Sequence, residues 1–152
     1  MTDPTARPTP ASTPAPTIRD LRGTALAALA LCALRTWGRH ESKDALLARL
    51  PEDQRLAVMA WWMDGQTKNG SFVQWHVNGL SGHAPSLAAY YAGKGPHADQ
   101  VAQVLRAVHA QFQAPAGPDV TALHALSGTY FGVADQAIDE LSAHLTGSER
   151  SA

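Results

Sequence analysis

The chain has 152 residues, 45% hydrophobic and 16% charged, enough for one domain with a sizeable core. A formal net charge of -1 and a pI near 6.6 exclude a whole-molecule field that would draw nucleic acid or an anionic membrane surface. Cys32 is the single cysteine and lies in an apolar run, which excludes an intramolecular disulfide and a thiolate metal cluster and makes a cytoplasmic location the expectation.

Pro4, Pro8, Pro10, Pro14 and Pro16 stand among Thr, Ala and Ser at the start of the chain. Proline removes amide donors and little here can be buried, so a disordered tail is expected over 1–16, a helical domain over 17–146 and a polar tail over 147–152. Ile18, Leu21, Ala25, Leu29, Cys32 and Trp37 recur near helical spacing, with Gly38 as a stop, and predict a long first helix. The apolar run Thr24 to Leu34 has a second reading as a signal-peptide core. The long proline-rich lead with Asp3 and Asp20, and the bulky Leu31 before Cys32, favour a buried helix instead. The run is also too short to span a bilayer.

Ser42 can cap a short helix carrying Leu46, Leu47 and Leu50, and Pro51 suits the first turn of a third helix. Leu56 to Met63 is almost wholly apolar, so that third helix is expected to be central. After Asp64 and Gly65, an Asn69-Gly70 turn leads into a helix from Ser71 to Leu80, with Ser71 and Gln74 as an S-x-x-Q capping box and Gly82 as a stop. Pro85 opens a stretch with Leu87, Tyr90 and Tyr91 that breaks at Gly93 to Pro96. Val101, Val104, Leu105, Val108 and Phe112 share one helical face. Asp119 can cap a turn before one or two closing helices with Leu123, Leu126, Tyr130, Phe131, Val133, Ile138, Leu141 and Leu145. No alternating strand pattern and no internal repeat is present, so the expected fold is all-α, a single compact domain of about six to eight helices.

The segment Asn69 to Gly79 exceeds what a helical core requires. A helix from Ser71 puts Ser71, Gln74, Asn78 and Ser81 in one polar stripe opposite Phe72, Val73, Trp75 and Val77. That stripe reads either as a solvated amide face or as a buried amide network or partner-binding surface, because amides both donate and accept.

The apolar helix followed by Asn69-Gly70-Ser71-Phe72, Gln74-Trp75, Asn78 and Gly82 resembles the bacterial domain family related to DNA mimic protein nineteen. The likeness runs loosely from about Leu46 to Leu145 and includes the aromatic pair Tyr130-Phe131. Ser71 occupies a position where that family favours a second glycine. The resemblance implies an all-helical, dimeric, non-enzymatic protein that binds a protein partner. The family's namesake presents acidic side chains in place of DNA phosphates and occupies a DNA-binding regulator. Such imitation needs a dense, regular array of negative charge, whereas this chain is near neutral overall.

Charge is unevenly distributed. Residues 17–50 carry six Lys/Arg and three Asp/Glu, a balance of +3, and residues 115–152 carry one and five, a balance of -4. Asp135 and Asp139 are one turn apart with Glu140 adjacent, an acidic face for a basic partner or an ordinary solvated one. Candidate partner-binding residues are therefore Asn69, Gln74, Asn78, Asp135, Asp139 and Glu140, with Gly70, Ser71, Phe72, Trp75 and Gly82 shaping the motif. Arg19, Arg22, Arg35, Arg39 and Arg49 could meet the acidic end of another copy in a head-to-tail homodimer.

No catalytic constellation emerges. Gly79-Leu80-Ser81-Gly82 falls short of a G-x-S-x-G elbow and has no strand before it. The seven histidines, His40, His76, His83, His97, His109, His124 and His144, lack metal-helix spacing, and Gly93 to Pro96 lacks phosphate-loop spacing. No metal, no cofactor, no direct nucleic-acid binding and no membrane attachment are expected. Trp61 and Trp62 lie in the most apolar helix and read as core or dimer seam. Two other readings stay open: a small hydrolase or metal-dependent enzyme built from scattered His and carboxylates, and a stress-linked accessory protein whose domain positions the proline-rich tail.

Overall fold

The computed structural model describes Leu21 and residues 23–150, with side chains through Gly147. The expected tail over 1–16 and the expected helix start at Ile18 lie outside the described residues. The elements are α1 (Ala25–Leu34), α2 (Lys43–Arg49), α3 (Glu52–Val77), a 3-10 turn (Ser81–His83), α4 (Ala84–Tyr91), α5 (Pro96–Gln113) and α6 (Val120–Arg150), with no strand among the described residues. The all-α reading holds.

Local signals place several helix starts. The Ser42 hydroxyl accepts from the Ala45 N–H at 3.1 Å and opens α2, which buries Leu46 and Leu47. Asp119 Oδ1 accepts from the Thr121 and Ala122 N–H groups at 2.9 and 3.3 Å and opens α6. The first helix departs from the expectation. It begins at Ala25, where Thr24 caps the Ala27 N–H, and it buries Leu26, Ala27, Ala30 and Ala33 while Cys32 is exposed. The run is apolar on every side, so periodicity does not choose a face, and the small alanines let α1 lie close to α3.

The closing segment is one helix, not two, and α6 continues to Arg150, past the expected domain end at 146. It packs against α5, α3 and α1, while α4 covers α5. Its inner face carries Leu123, Tyr130, Ala134, Ala137, Ile138 and Leu141. Phe131, expected with that set, is 47% exposed, because a helix that buries Tyr130 and Ala134 turns the intervening position outward. Trp61 and Trp62 are both half-buried, and Trp62 packs on Trp37 with ring centroids 5.6 Å apart. Fully buried Trp75, Tyr91, Tyr130 and Phe72 supply the largest core side chains.

Helix α6 also supplies polar groups to three helix starts. Ser142 Oγ accepts from the Leu26 N–H of α1 at 3.1 Å. Ser127 Oγ accepts from the Phe72 N–H of α3 at 3.0 Å. The Glu140 carboxylate accepts from the His97 and Ala98 N–H groups of α5 at 3.2 and 2.7 Å. Helix α5 has no side-chain cap of its own, so a carboxylate from the last helix satisfies its first donors and its dipole.

Candidate functional site

The segment singled out by sequence forms a break within α3. Helical backbone continues through Gly65 to Asn69 and is interrupted at Gly70 and Ser71, one residue later than the expected Asn69-Gly70 turn. Gly65 remains helical because nothing in that stretch removes an i to i-4 bond, and one glycine costs only about 1 kcal/mol. Gly70 lies against the next turn: a Cβ there would meet Gln74 Cβ at 2.8 Å. Ser71 has φ 69 and ψ 179, a region almost reserved for glycine. Glycine would adopt this backbone without the strain that a Cβ incurs.

Helix restarts immediately after Ser71. Its hydroxyl accepts from the Val73 N–H at 3.2 Å, half of the expected capping box. The Gln74 amide does not complete the box: it is half-buried and has no hydrogen-bond partner among the described residues. Phe72 and Trp75 turn inward at 0% and 1% exposure, and Phe72 meets Tyr130 edge to face at 5.6 Å. The Phe72 N–H, released by the break, goes to Ser127, which itself donates to the Leu123 carbonyl at 2.8 Å. The break's inward-facing Phe72 N–H is thus matched by α6.

A buried network lies one turn before the break. Asp64, only 5% exposed, accepts from Tyr130 Oη at 2.6 Å and pairs with Lys68 Nζ at 3.0 Å. Lys68 bridges onward to Asp135 at 2.7 Å, tying α3 to α6. Burial, with Tyr91 and Asp64 nearby, pushes the Tyr130 phenol well above its ordinary range, so it stays a hydrogen-bond donor to Asp64. Sequence reading treated Tyr130 as core and Asp64 as the end of an apolar run. The available signal was Asp64 and Lys68 at i,i+4 spacing beside that run.

The six candidate partner-binding residues separate into two groups. Asn69 is exposed at the break, Gln74 is unpaired, and Asp135 is tied to Lys68, the residue before Asn69. Asn78 is instead turned back onto α3, where its side-chain N–H donates to Gln66 Oε1. Asp139 is exposed on α6, and Glu140 is turned inward as the cap of α5. Burial pushes the Glu140 carboxyl up, but donation from the Ala98 N–H, the His97 ring and the His97 N–H outweighs it and holds the group below the usual carboxylate range. Gly95, next to that carboxylate, has φ 154, and a Cβ there would stand 2.3 Å from Glu140 Cδ. Gly82 lies in the 3-10 turn with open space around it.

His76, at the end of the motif helix, stacks on Phe112 with centroids 4.3 Å apart and bonds through Nδ1 to Ser81 Oγ at 2.8 Å. Next to it Val77 is 73% exposed. Among the described residues no group of three or more His, Cys, Asp or Glu is arranged to hold a metal ion, and no helix is long and apolar enough to cross a membrane.

Comparison with curated proteins and with solved structures gives no match. The family described as DMP19-like protein matches residues 48–149, from the end of α2 to the end of α6, and includes the break, the buried network and all three capping groups of α6. The glycine-like backbone at Ser71 and the α6 groups that serve it thus lie within the matched region, and the chain belongs to the DMP19-like protein family.

Proposed function

We propose that this chain is a non-enzymatic protein-interaction module that sequesters or inhibits a basic partner, such as a DNA-binding regulator, and acts as a homodimer in the cytoplasm. Membership of the DMP19-like family is the observation that carries this reading. The geometry supports a particular surface for it. Asn69 and the unpaired Gln74 amide lie at the break in α3, Asp135 is joined to Lys68, the residue before Asn69, and Phe131, one turn before Asp135 on α6, is an exposed ring. Unpaired amides and an exposed aromatic ring are side chains that suit a protein interface.

Carboxylates are sparse on this surface. Glu140 caps α5 and Asp135 is paired with Lys68, so the acidic face is thinner than the sequence suggests. Recognition in this reading rests on amides and an aromatic ring flanked by charge, and electrostatics contributes mainly to the rate of encounter.

Affinity capture from native lysate tests the proposal, using wild type, Asn69→Ala/Gln74→Ala and Asp135→Lys/Asp139→Lys, with duplex DNA as competitor. A stoichiometric partner that is lost in the charge-reversed variant and displaced by DNA supports mimicry. One lost only in the amide variant places recognition at the break. Retention of no partner at physiological salt overturns the reading, and a light-scattering mass equal to one chain removes the homodimer.

A further inference from the structure

A cavity of about 610 Å³ opens between the first half of α3 and the 3-10 turn with α4, well within the size range of small-molecule sites. It lies about 20 Å along α3 from the break at Gly70 and shares no residue with the proposed interaction surface. Leu56, Met59 and Ala89 form its apolar wall. Arg55, on α3, and Lys94, after α4, both line it half-buried, and neither has a carboxylate partner among the described residues. Partial burial costs each of them hydration that a bound anion would offset.

The hydroxyl groups point to the same ligand chemistry. Ser86 lines the cavity, and so does Tyr90, whose hydroxyl is buried with no hydrogen-bond partner among the described residues. Burial, with Asp53 nearby, pushes the Tyr90 phenol up to about 12, so it keeps its proton and remains a donor. Burial also lowers His83, against the pull of Asp44, so its ring tends to the neutral form. Glu52, exposed at the rim, is the one carboxylate in the lining. Donors therefore outnumber acceptors around an apolar floor.

Lys94 is held in place by its turn. Its N–H donates to the Tyr91 carbonyl at 3.2 Å, the preceding Gly93 N–H donates to Asp99 Oδ1 at 2.7 Å, and the following Gly95 is packed against Glu140. The turn lacks phosphate-loop spacing, so any anion here is held by side chains converging from α3 and α4.

We propose that this cavity binds a small organic oxyanion, a carboxylate or phosphate on a compact apolar body, with Arg55 and Lys94 clamping the oxyanion and Leu56 and Met59 receiving the body. Arg55 supplies a planar fork suited to two oxygens, and Lys94 supplies a point charge. Ser86 adds a hydroxyl donor, and the Tyr90 ring lines the wall beside it.

The test is calorimetric titration of the full chain at about 0.15 M ionic strength, with benzoate and phenyl phosphate as probes and benzyl alcohol as the neutral counterpart. Saturable one-to-one binding of either anion is expected, and no binding of the alcohol. Arg55→Gln and Lys94→Gln should each weaken it about tenfold or more, while Arg106→Gln, a cation at a separate shallow groove, leaves it unchanged. Thermal unfolding of each variant shows that the domain is intact, and amide shifts around His83 and Tyr90 in the wild type locate the ligand without any substitution. Failure of both anions to bind up to about 10 mM, equal weakening by Arg106→Gln, or shifts confined to other surfaces overturns the assignment. None of these outcomes bears on protein capture, because the two surfaces are separate.

Discussion

Replacing Ser71 with glycine should stabilise the domain, although it deletes a side chain that makes a hydrogen bond. Ser71 holds φ 69 and ψ 179, where a Cβ costs about 1–3 kcal/mol. Its hydroxyl recovers part of that by accepting from the Val73 N–H at 3.2 Å. Glycine at a capping position loses only a few tenths of a kcal/mol, and its freer unfolded chain costs about 0.4–1 kcal/mol. With strain near the middle of its range, Ser71→Gly gains about 1 kcal/mol. Ser71→Ala keeps the strained backbone and loses the hydrogen bond, a loss of about 1 kcal/mol. For a chain of this size those values correspond to Tm shifts of about 3 °C upward and about 3 °C downward. Calorimetry on the two variants beside wild type reads the difference directly. If both shift Tm the same way, or if the glycine variant is the less stable, the break does not store strain at Ser71.

Other substitutions address the α6 connections. Glu140→Gln should cost about 1–2 kcal/mol near neutral pH by weakening the cap of α5. The Glu140 carboxyl is held below its ordinary 4.5, so its contribution is complete above that value and is lost as pH falls through the lower folded-state value; wild type and variant should converge in acid unfolding curves. Gly95→Ala should cost about 2 kcal/mol or more, since its Cβ meets Glu140 at φ 154, and pairing it with Glu140→Ala should recover part of the loss in a double-mutant cycle. Tyr130→Phe removes the donor to the buried Asp64 and should cost about 1.5–3 kcal/mol by denaturant titration. Asp135→Asn should change stability by less than about 1 kcal/mol, because its pair with Lys68 is a third exposed on both sides, so any effect on partner capture can be read separately from folding.

Local chemistry was the legible part of this fold. The starts of α2 and α6 follow from Ser42 and Asp119, whose side chains cap donors two or three residues away, and the buried face of α5 follows from apolar spacing. The face of α1 was not legible, because its sequence offers apolar groups in every direction and the choice belongs to the partners in α3 and α6. At the motif, sequence identified the right segment and mistook the conformation of its approach. The expected turn was Asn69-Gly70 with helix from Ser71, whereas Asn69 stays helical and the break falls on Gly70 and Ser71. Glu140 shows the deeper limit. It read as one of three clustered acids, and its partners lie more than 40 residues away at a helix start that has no local cap. A cap supplied from another helix leaves no periodicity or spacing to detect.

The placement of those three capping groups also sets an order of events during synthesis. Helices α1 and α5 and the restarted half of α3 emerge with amide donors that only Ser142, Glu140 and Ser127 satisfy, all on the final helix. Until that helix leaves the ribosome, those donors must be solvated by water, and α5, with no side-chain cap of its own, has an amino end that can fray. Release of the last segment therefore satisfies the earlier ones together. A chain cut short before Glu140 leaves α5 open at its first turn even if every residue of α5 is intact.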